Sequence, residues 1–150
     1  MDVFACNIID FYNDTKVCYL YYPMEAHQNM KLYWRMPEGL RKSYDKELGL
    51  YQKFLRANDL QQAWRQLERA HILGQPWAVE HTHVHWLMLG FGIKIKHWRE
   101  IIGQIPRLLV GGIKSFVGKI PVGNTGGSNV PPLLPMEVPD DLKRKMEPYQ

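Results

Sequence analysis

Apolar residues recur with the helical period of 3.6 from residue 38 to residue 71, and a Gly74-Gln75-Pro76 break follows. In the first segment the periodic positions are Leu40, Tyr44, Leu48, Tyr51 and Leu55. Asn58-Asp59 can cap a second segment that begins at Leu60. Gly74 is typical of a helix C-terminus, and Pro76 is typical of the first turn of the next helix. We therefore expect two antiparallel helices joined by a tight turn.

Helical patterns of apolar residues continue beyond the Gly74-Gln75-Pro76 break. We expect a third helix from about residue 77 to residue 90 and a fourth from about residue 96 to residue 116. The fourth helix carries the apolar residues Ile101, Ile105, Leu108, Leu109 and Ile113, which core packing explains most simply. Gly103, Pro106 and Gly111-Gly112 predict a kink or a break within it. The sequence thus predicts an all-α protein, an antiparallel helical bundle of about four helices.

Both ends of the chain differ from this pattern. Residues 1–36 are rich in tyrosine and form an irregular N-terminal extension, in which residues 17–22 predict a short strand before Pro23. Residues 119–150 form a Gly/Pro-rich tail that we expect to pack on the bundle, with Asp140-Asp141 opening a last short helix. The predicted bundle itself spans residues 37–118.

Composition limits the class of protein. A chain of 150 residues with 45% hydrophobic and 23% charged residues is typical of one globular domain. It has neither a long uncharged apolar stretch nor a signal-peptide pattern, so we expect a cytoplasmic protein with no transmembrane segment. Cys6 and Cys18 lie far from the histidines in sequence and are expected to be reduced thiols. The net charge of +4 is spread along the chain, which predicts no specific nucleic-acid partner.

Four of the six histidines lie between residues 71 and 85. Glu68 and His71 are spaced i to i+3, and His81 and His85 are spaced i to i+4, so each pair shares one face of its helix. Because the two pairs lie at similar distances on either side of the turn, the rise of about 1.5 Å per residue brings them to matching heights on facing helices. His83 points elsewhere. The pattern predicts a metal site made of Glu68, His71, His81 and His85.

A second pair, His97 and Glu100, opens the fourth helix and can complete this site or support it. Imidazole nitrogen and carboxylate oxygen suit zinc first, with nickel, copper or iron as alternatives. A simpler interpretation stays open: histidines near helix ends often cap carbonyl groups, and Glu68 can pair with Arg65 or Arg69.

The segment from Gly123 to Asn129 contains three glycines and resembles a phosphate-binding loop. It lacks the Gly-Lys-Ser/Thr sequence and the following helix of a P-loop, because Pro131-Pro132 comes next. We expect instead an ordered loop that lies across the helices and covers the histidine site. Asn124 and Thr125 are its candidate cofactor-binding residues.

Several motifs occur together in this chain. They are Leu67-Glu-Arg-Ala-His-Ile-Leu-Gly-Gln75, the helix with His81, His83 and His85, Gly103-Gln104 followed by Arg107, and Val122-Gly-Asn-Thr-Gly-Gly127. In combination they resemble a family of short bacterial proteins of unknown function, over roughly residues 38–145. Members of that family are often encoded near heavy-metal-resistance genes. The resemblance therefore implies a metal-linked role and implies no mechanism.

Three functions are consistent with these features. The first is a small protein that binds a divalent transition metal for sensing, buffering or delivery. The second is a metal-dependent hydrolase or oxidoreductase that uses the same cluster with an open coordination position. The third is a helical interaction module without metal, in which residues 1–36 and 119–150 dock on a protein partner. The sequence indicates no oligomeric state.

Overall fold

A computed structural model of the chain describes residues 8–9, 16–17, 33–111 and 121–149. Its helices are α1 (Glu38–Arg56), α2 (Leu60–Gly74), α3 (Ala78–Lys94), α4 (Trp98–Gly111) and α5 (Asp140–Met146), and a 3₁₀ turn covers Glu147–Tyr149. Each of the first three helices packs on its successor in the chain. The predicted all-α helical bundle is confirmed.

The N-terminal region contributes one short antiparallel ladder to the described part. Strand β1 (Ile8–Ile9) pairs with β2 (Lys16–Val17), with Ile8 opposite Val17. Of the predicted strand at residues 17–22, the residues after Val17 lie outside the described ranges, as do Cys6 and Cys18. Tyr33 extends along the α2–α3 turn, where its N–H donates to the Pro76 carbonyl at 2.8 Å.

Helix ends follow the capping residues that the sequence offers. Asp59 is the N-cap of α2, and its carboxylate accepts the Gln62 N–H at 3.1 Å. Asn58 adopts a φ of 57° and reverses the chain after α1. The described part of α4 is shorter than predicted: it begins at Trp98, after Lys96 with a φ of 57°, and residues 112–116 lie outside the described ranges.

The core lies between α1, α2 and α3 and is closed by α5. It contains the fully buried side chains of Leu40, Tyr44, Leu67, Leu73, Met88 and Phe91, together with Leu142 and Met146 of α5. Trp64 packs on Phe91 with ring centroids 5.4 Å apart. This apolar packing fixes the relative positions of α2 and α3, the helices that carry the histidines.

Helix α4 departs from the usual amphipathic pattern. Its outward stripe is apolar: Trp98, Ile102, Ile105 and Leu109 are between 46% and 71% exposed. Its inward side carries Glu100 and Gln104, which are fully buried. The expectation that Ile105 and Leu109 belong to the core is therefore wrong, because polar contacts of Glu100 and Gln104 decide which side of this helix faces inward.

None of the described helices has the length and hydropathy that a bilayer-crossing segment requires.

A buried ion pair joins α1, α2 and α5. Arg69 on α2 donates to both carboxylate oxygens of Glu47, at 3.0 and 3.1 Å, and also bonds Asp141 on α5. Glu47 is only 3% exposed, and its other cationic neighbour among the described residues is Lys145, at 3.5 Å. The Arg69 guanidinium also lowers the pKa of Asp141 to about 2.

We expect Arg69→Met to lower the free energy of unfolding by about 2–4 kcal/mol, because the buried Glu47 carboxylate loses its bidentate partner. Urea unfolding measures this change. The matched control is Arg65→Met, an exposed arginine on the same helix, for which a change within about 0.5 kcal/mol is expected. Equal stability of the two variants would contradict the assignment, and Glu47→Gln combined with Arg69→Met should recover part of the loss.

Candidate metal centre

Three histidines converge where α2 ends and α3 begins. His71 lies in the last turn of α2, and His81 and His85 lie one turn apart on α3. The turn between the helices is tight: the Trp77 N–H donates to the Gly74 carbonyl at 2.9 Å. All three histidines are buried, each about 2% exposed. The local sequence thus brings three imidazole rings from two helices into one buried place.

The Nε2 atoms of the three rings form a small triangle. The distances are 2.9 Å from His71 to His81, 3.2 Å from His71 to His85, and 3.2 Å from His81 to His85. Nitrogens bound at about 2.0–2.1 Å to one tetrahedral zinc ion lie about 3.3 Å apart. The triangle therefore has nearly the size that a single ion requires, and these three residues form a group that can hold a metal ion.

The other ring nitrogen of His71 is fixed by the glycine-rich loop. Its Nδ1 lies 2.8 Å from the backbone carbonyl oxygen of Asn124. A carbonyl oxygen only accepts hydrogen bonds, so Nδ1 carries the proton. In neutral His71 the Nε2 atom consequently presents its lone pair to the centre of the triangle.

The tautomer of His85 is fixed through Gln104. The Gln104 amide nitrogen donates to the Gly126 carbonyl at 2.9 Å and to a carboxylate oxygen of Glu100, both of which only accept. The Gln104 amide oxygen therefore faces the Nδ1 of His85, 2.7 Å away, and Nδ1 must donate to it. Neutral His85, like His71, directs an Nε2 lone pair inward.

The Nε2 lone pairs of neutral His71 and His85 thus both point towards the centre of the triangle. A metal cation at this centre would accept an Nε2 lone pair from each of the three rings. Metal-bound histidines characteristically donate their second N–H to a carbonyl or carboxylate group, as His71 and His85 do here to carbonyl oxygens.

The glycine-rich loop presses directly on this cluster. Gly126 has a φ of +81°, and a Cβ atom placed on it would lie 2.6 Å from Cδ2 of His71. Arg107 on α4 holds the loop by donating to the carbonyls of Gly127 and Val130, at 3.0 and 2.7 Å. The loop therefore covers the histidines, as expected from the sequence, and glycine at position 126 is what allows the close approach.

A partly open cavity of about 140 Å³ lies beside the triangle. Its walls comprise His71, His81, His85, Gln75, Asn124, Gly126, Pro106, Arg107, Pro132 and Leu133. The side chains of Asp and Glu are missing from this lining, as far as the described residues extend.

The structure holds the other predicted ligands elsewhere. Glu68 is half-buried and does not belong to the group of ligand atoms that can share an ion. Burial is the main cause that raises the pKa of its carboxyl to about 7; a hydrogen bond from Trp64 opposes this increase and the nearby Glu100 carboxylate adds to it. Glu68 lies one helical turn from His71, but its side chain is directed towards Trp64 and not towards the three histidines.

His97 and Glu100 also remain outside the group. Nδ1 of His97 accepts the N–H of Glu100 at 3.2 Å, so this ring caps α4. Glu100 accepts the N–H of Ser128 at 2.9 Å and bonds Gln104, so it braces the loop and the amide that orients His85. The i to i+3 spacing of this pair thus reflects helix capping in the structure.

Asn124 and Thr125, the candidate cofactor-binding residues, have different surroundings. The Asn124 side chain donates to the carbonyls of Pro131 and Leu134 and accepts the Gly126 N–H, while its own carbonyl accepts from His71. Asn124 therefore shapes the loop and orients the His71 ring. The Thr125 side chain interacts with the Glu68 carboxyl, and this interaction lowers the pKa of that group.

Sequence reasoning did not assign Gln104, Gly126 or Gln75 to the site. Each occurs within one of the sequence motifs, but their roles depend on contacts between α4, the loop and the cavity. His83, which was expected to point away, is exposed and bonds the Tyr44 hydroxyl at 3.0 Å.

We expect Gly126→Ala to lower the free energy of unfolding by about 2–3 kcal/mol, because the new methyl group meets the His71 ring and alanine disfavours a positive φ. Urea unfolding in the presence of a chelator measures the change without a metal contribution. Gly90→Ala is the matched control: Gly90 is helical and exposed, and a Cβ atom placed on it would have nothing within 4 Å, so about 0.5–1 kcal/mol of stabilisation is expected. A Gly126→Ala variant at least as stable as the parent would refute the close contact.

The raised pKa of Glu68 makes stability depend on pH in a defined direction. As the pH rises from 4.5 to about 7 the unfolded chain releases this proton first, so the group's contribution to stability is lost through that window. Relative to Glu68→Gln, the parent should lose about 1–3 kcal/mol between pH 5 and pH 8, measured by urea unfolding with a chelator present. Parallel pH profiles for the two proteins would show that the Glu68 pKa is not raised.

Neither a curated protein nor a solved structure is similar enough to match the chain. A family model matches residues 38–146, which include the five described helices and the glycine-rich loop. The chain therefore belongs to the family described as "Protein of unknown function (DUF3703)".

Proposed function

We propose that this protein binds one divalent transition metal ion through the Nε2 atoms of His71, His81 and His85. The observation that carries the proposal is the 2.9–3.2 Å triangle of Nε2 atoms in which the hydrogen bonds of His71 and His85 turn two lone pairs inward. A cation at the centre would accept an Nε2 lone pair from each of the three rings.

Zinc is the metal that we propose first. Three neutral imidazoles without thiolate suit zinc, and also nickel, cobalt or copper(II). Non-haem iron sites usually combine two histidines with a carboxylate, and Glu68 and Glu100 are held by other partners. Iron is therefore the weakest of the candidates.

We propose that the role is metal buffering, sensing or delivery in the cytoplasm. Structural zinc sites are closed by four protein ligands, whereas this group supplies three and lies against a partly open cavity. Such a site allows the ion to enter and leave without unfolding of the bundle. This feature suits reversible binding better than a permanent structural role.

A metal-dependent hydrolase is the second candidate, and the same cavity favours it. Three histidines with an open fourth position are also the ligand arrangement of catalytic zinc in some enzymes. The third alternative, docking of residues 1–36 and 119–150 on a protein partner, stays a prediction; Trp34, in the described part of the first segment, is 74% exposed.

Metal titration of the full chain tests the proposal. We expect protein purified without a nickel column to bind one equivalent of zinc in isothermal titration, and its melting temperature to fall on addition of a chelator. His81→Ala/His85→Ala should weaken binding by at least about 100-fold, because two of three ligands are lost. His83→Ala is the matched control and should bind like the parent, since its ring is exposed on the same helix. Equal affinity of the parent and the double variant would defeat the proposal.

A further inference from the structure

Gln75 lines the cavity beside the histidines, and its amide oxygen is a buried acceptor for which the described residues offer no donor. Gln75 is about 2% exposed, and its amide nitrogen donates to the carbonyl of Pro121. The amide oxygen is therefore the remaining polar atom of this side chain, and it has no hydrogen-bond partner among the described residues. A buried, unpaired amide oxygen costs about 1–3 kcal/mol. A donor in the adjoining cavity would remove that cost.

Arg107 is the charged side chain that lines the cavity, and the buried Glu100 carboxylate interacts with it electrostatically from outside the lining. Three neutral imidazoles would leave the full charge of a divalent ion uncompensated. The described hydrogen bonds of Arg107 go to neutral carbonyl groups, those of Gly103, Gly127 and Val130. Within the described ranges no carboxylate forms an ion pair with it.

The remaining walls are apolar and lie at the open side of the cavity. They are Pro106, Pro132 and Leu133, all of which are exposed to solvent. The volume of about 140 Å³ is well above the roughly 10–15 Å³ that one water molecule requires. A ligand of three or four non-hydrogen atoms fits inside this space, whereas a large aromatic anion can enter it only in part.

We infer that the fourth coordination position of the bound metal opens to this cavity and holds a water molecule that donates a hydrogen bond to Gln75, and that small anions of the size of azide or bicarbonate displace this water. The inference rests on the proposed metal site. The metal and Arg107 attract the anion, whereas the Gln75 amide oxygen favours the water, since an anion such as azide offers it no proton.

Cobalt(II) in the full chain provides the probe, because its visible absorption reports the ligands and their geometry. We expect saturable changes in the cobalt spectrum with azide and with bicarbonate, and none with 2-naphthoate, which exceeds the cavity. A spectrum that responds equally to 2-naphthoate would overturn the assignment of the ligand to this cavity.

Two substitutions should shift azide affinity in opposite directions, measured on the cobalt-saturated variants. Gln75→Leu should tighten azide binding by about tenfold, because the bound water loses its acceptor. Arg107→Met should weaken it by about tenfold, because one positive charge is removed. The matched controls are Gln66→Leu, a buried glutamine on α2, and Lys94→Met, an exposed lysine on α3; both should bind azide like the parent.

The outcomes separate this inference from the proposed function. If the parent chain gives no spectrum of protein-bound cobalt, which is the result expected for His81→Ala/His85→Ala, the proposed metal site is refuted. If cobalt binds but its spectrum does not change with azide or bicarbonate, the metal site is supported and the open fourth coordination position is refuted. If Arg107→Met does not fold because the loop loses its anchor, the Gln75→Leu and Gln66→Leu pair together with the anion size series decides the question.

Discussion

The close approach of α2 and α3 at their connecting turn is the constraint on which the site depends. A Cβ atom on Gly74 would lie 3.3 Å from the backbone carbonyl carbon of Glu80, so glycine allows the end of one helix to meet the start of the next. Tyr33 pairs with the turn, and Trp77 beneath it is almost completely buried. Because the turn is rigid and short, residues one turn before it and one or two turns after it become neighbours. Any loosening here would separate His71 from the two histidines of α3.

The chemical state of the cluster is set by parts of the chain that carry none of its ligand atoms. A backbone carbonyl of the loop decides where the His71 proton lies, and the amide of Gln104 does the same for His85. Gln104 is itself oriented by Glu100 and by the Gly126 carbonyl. Side chains and backbone from α4 and the loop therefore convert three neighbouring imidazoles into directed donors, which is the usual contribution of groups around a metal site.

Local patterns predicted the helices and the three converging histidines, because both follow from periodicity and from the rise per residue. They do not resolve the position of a side chain that has competing partners. Glu68 is about 60° from His71 around the helix, and its carboxyl interacts with Trp64. His97 is close to the three histidines in sequence, and its ring accepts a hydrogen bond from the first turn of α4. The roles of Gln104 and Gly126 depend on how α4 and the loop pack in three dimensions, and no spacing in the sequence encodes that packing.

The polar inward contacts of α4 have a consequence for how this helix is held. Apolar contact is not directional, so by itself it specifies the register of a helix less strictly than hydrogen bonds between named atoms do. Glu100 and Gln104 instead fasten α4 through bonds to specific atoms of His85, Ser128 and Gly126. A shift of one residue would break them together. These hydrogen bonds therefore hold α4 in one register, while its apolar stripe is exposed to solvent.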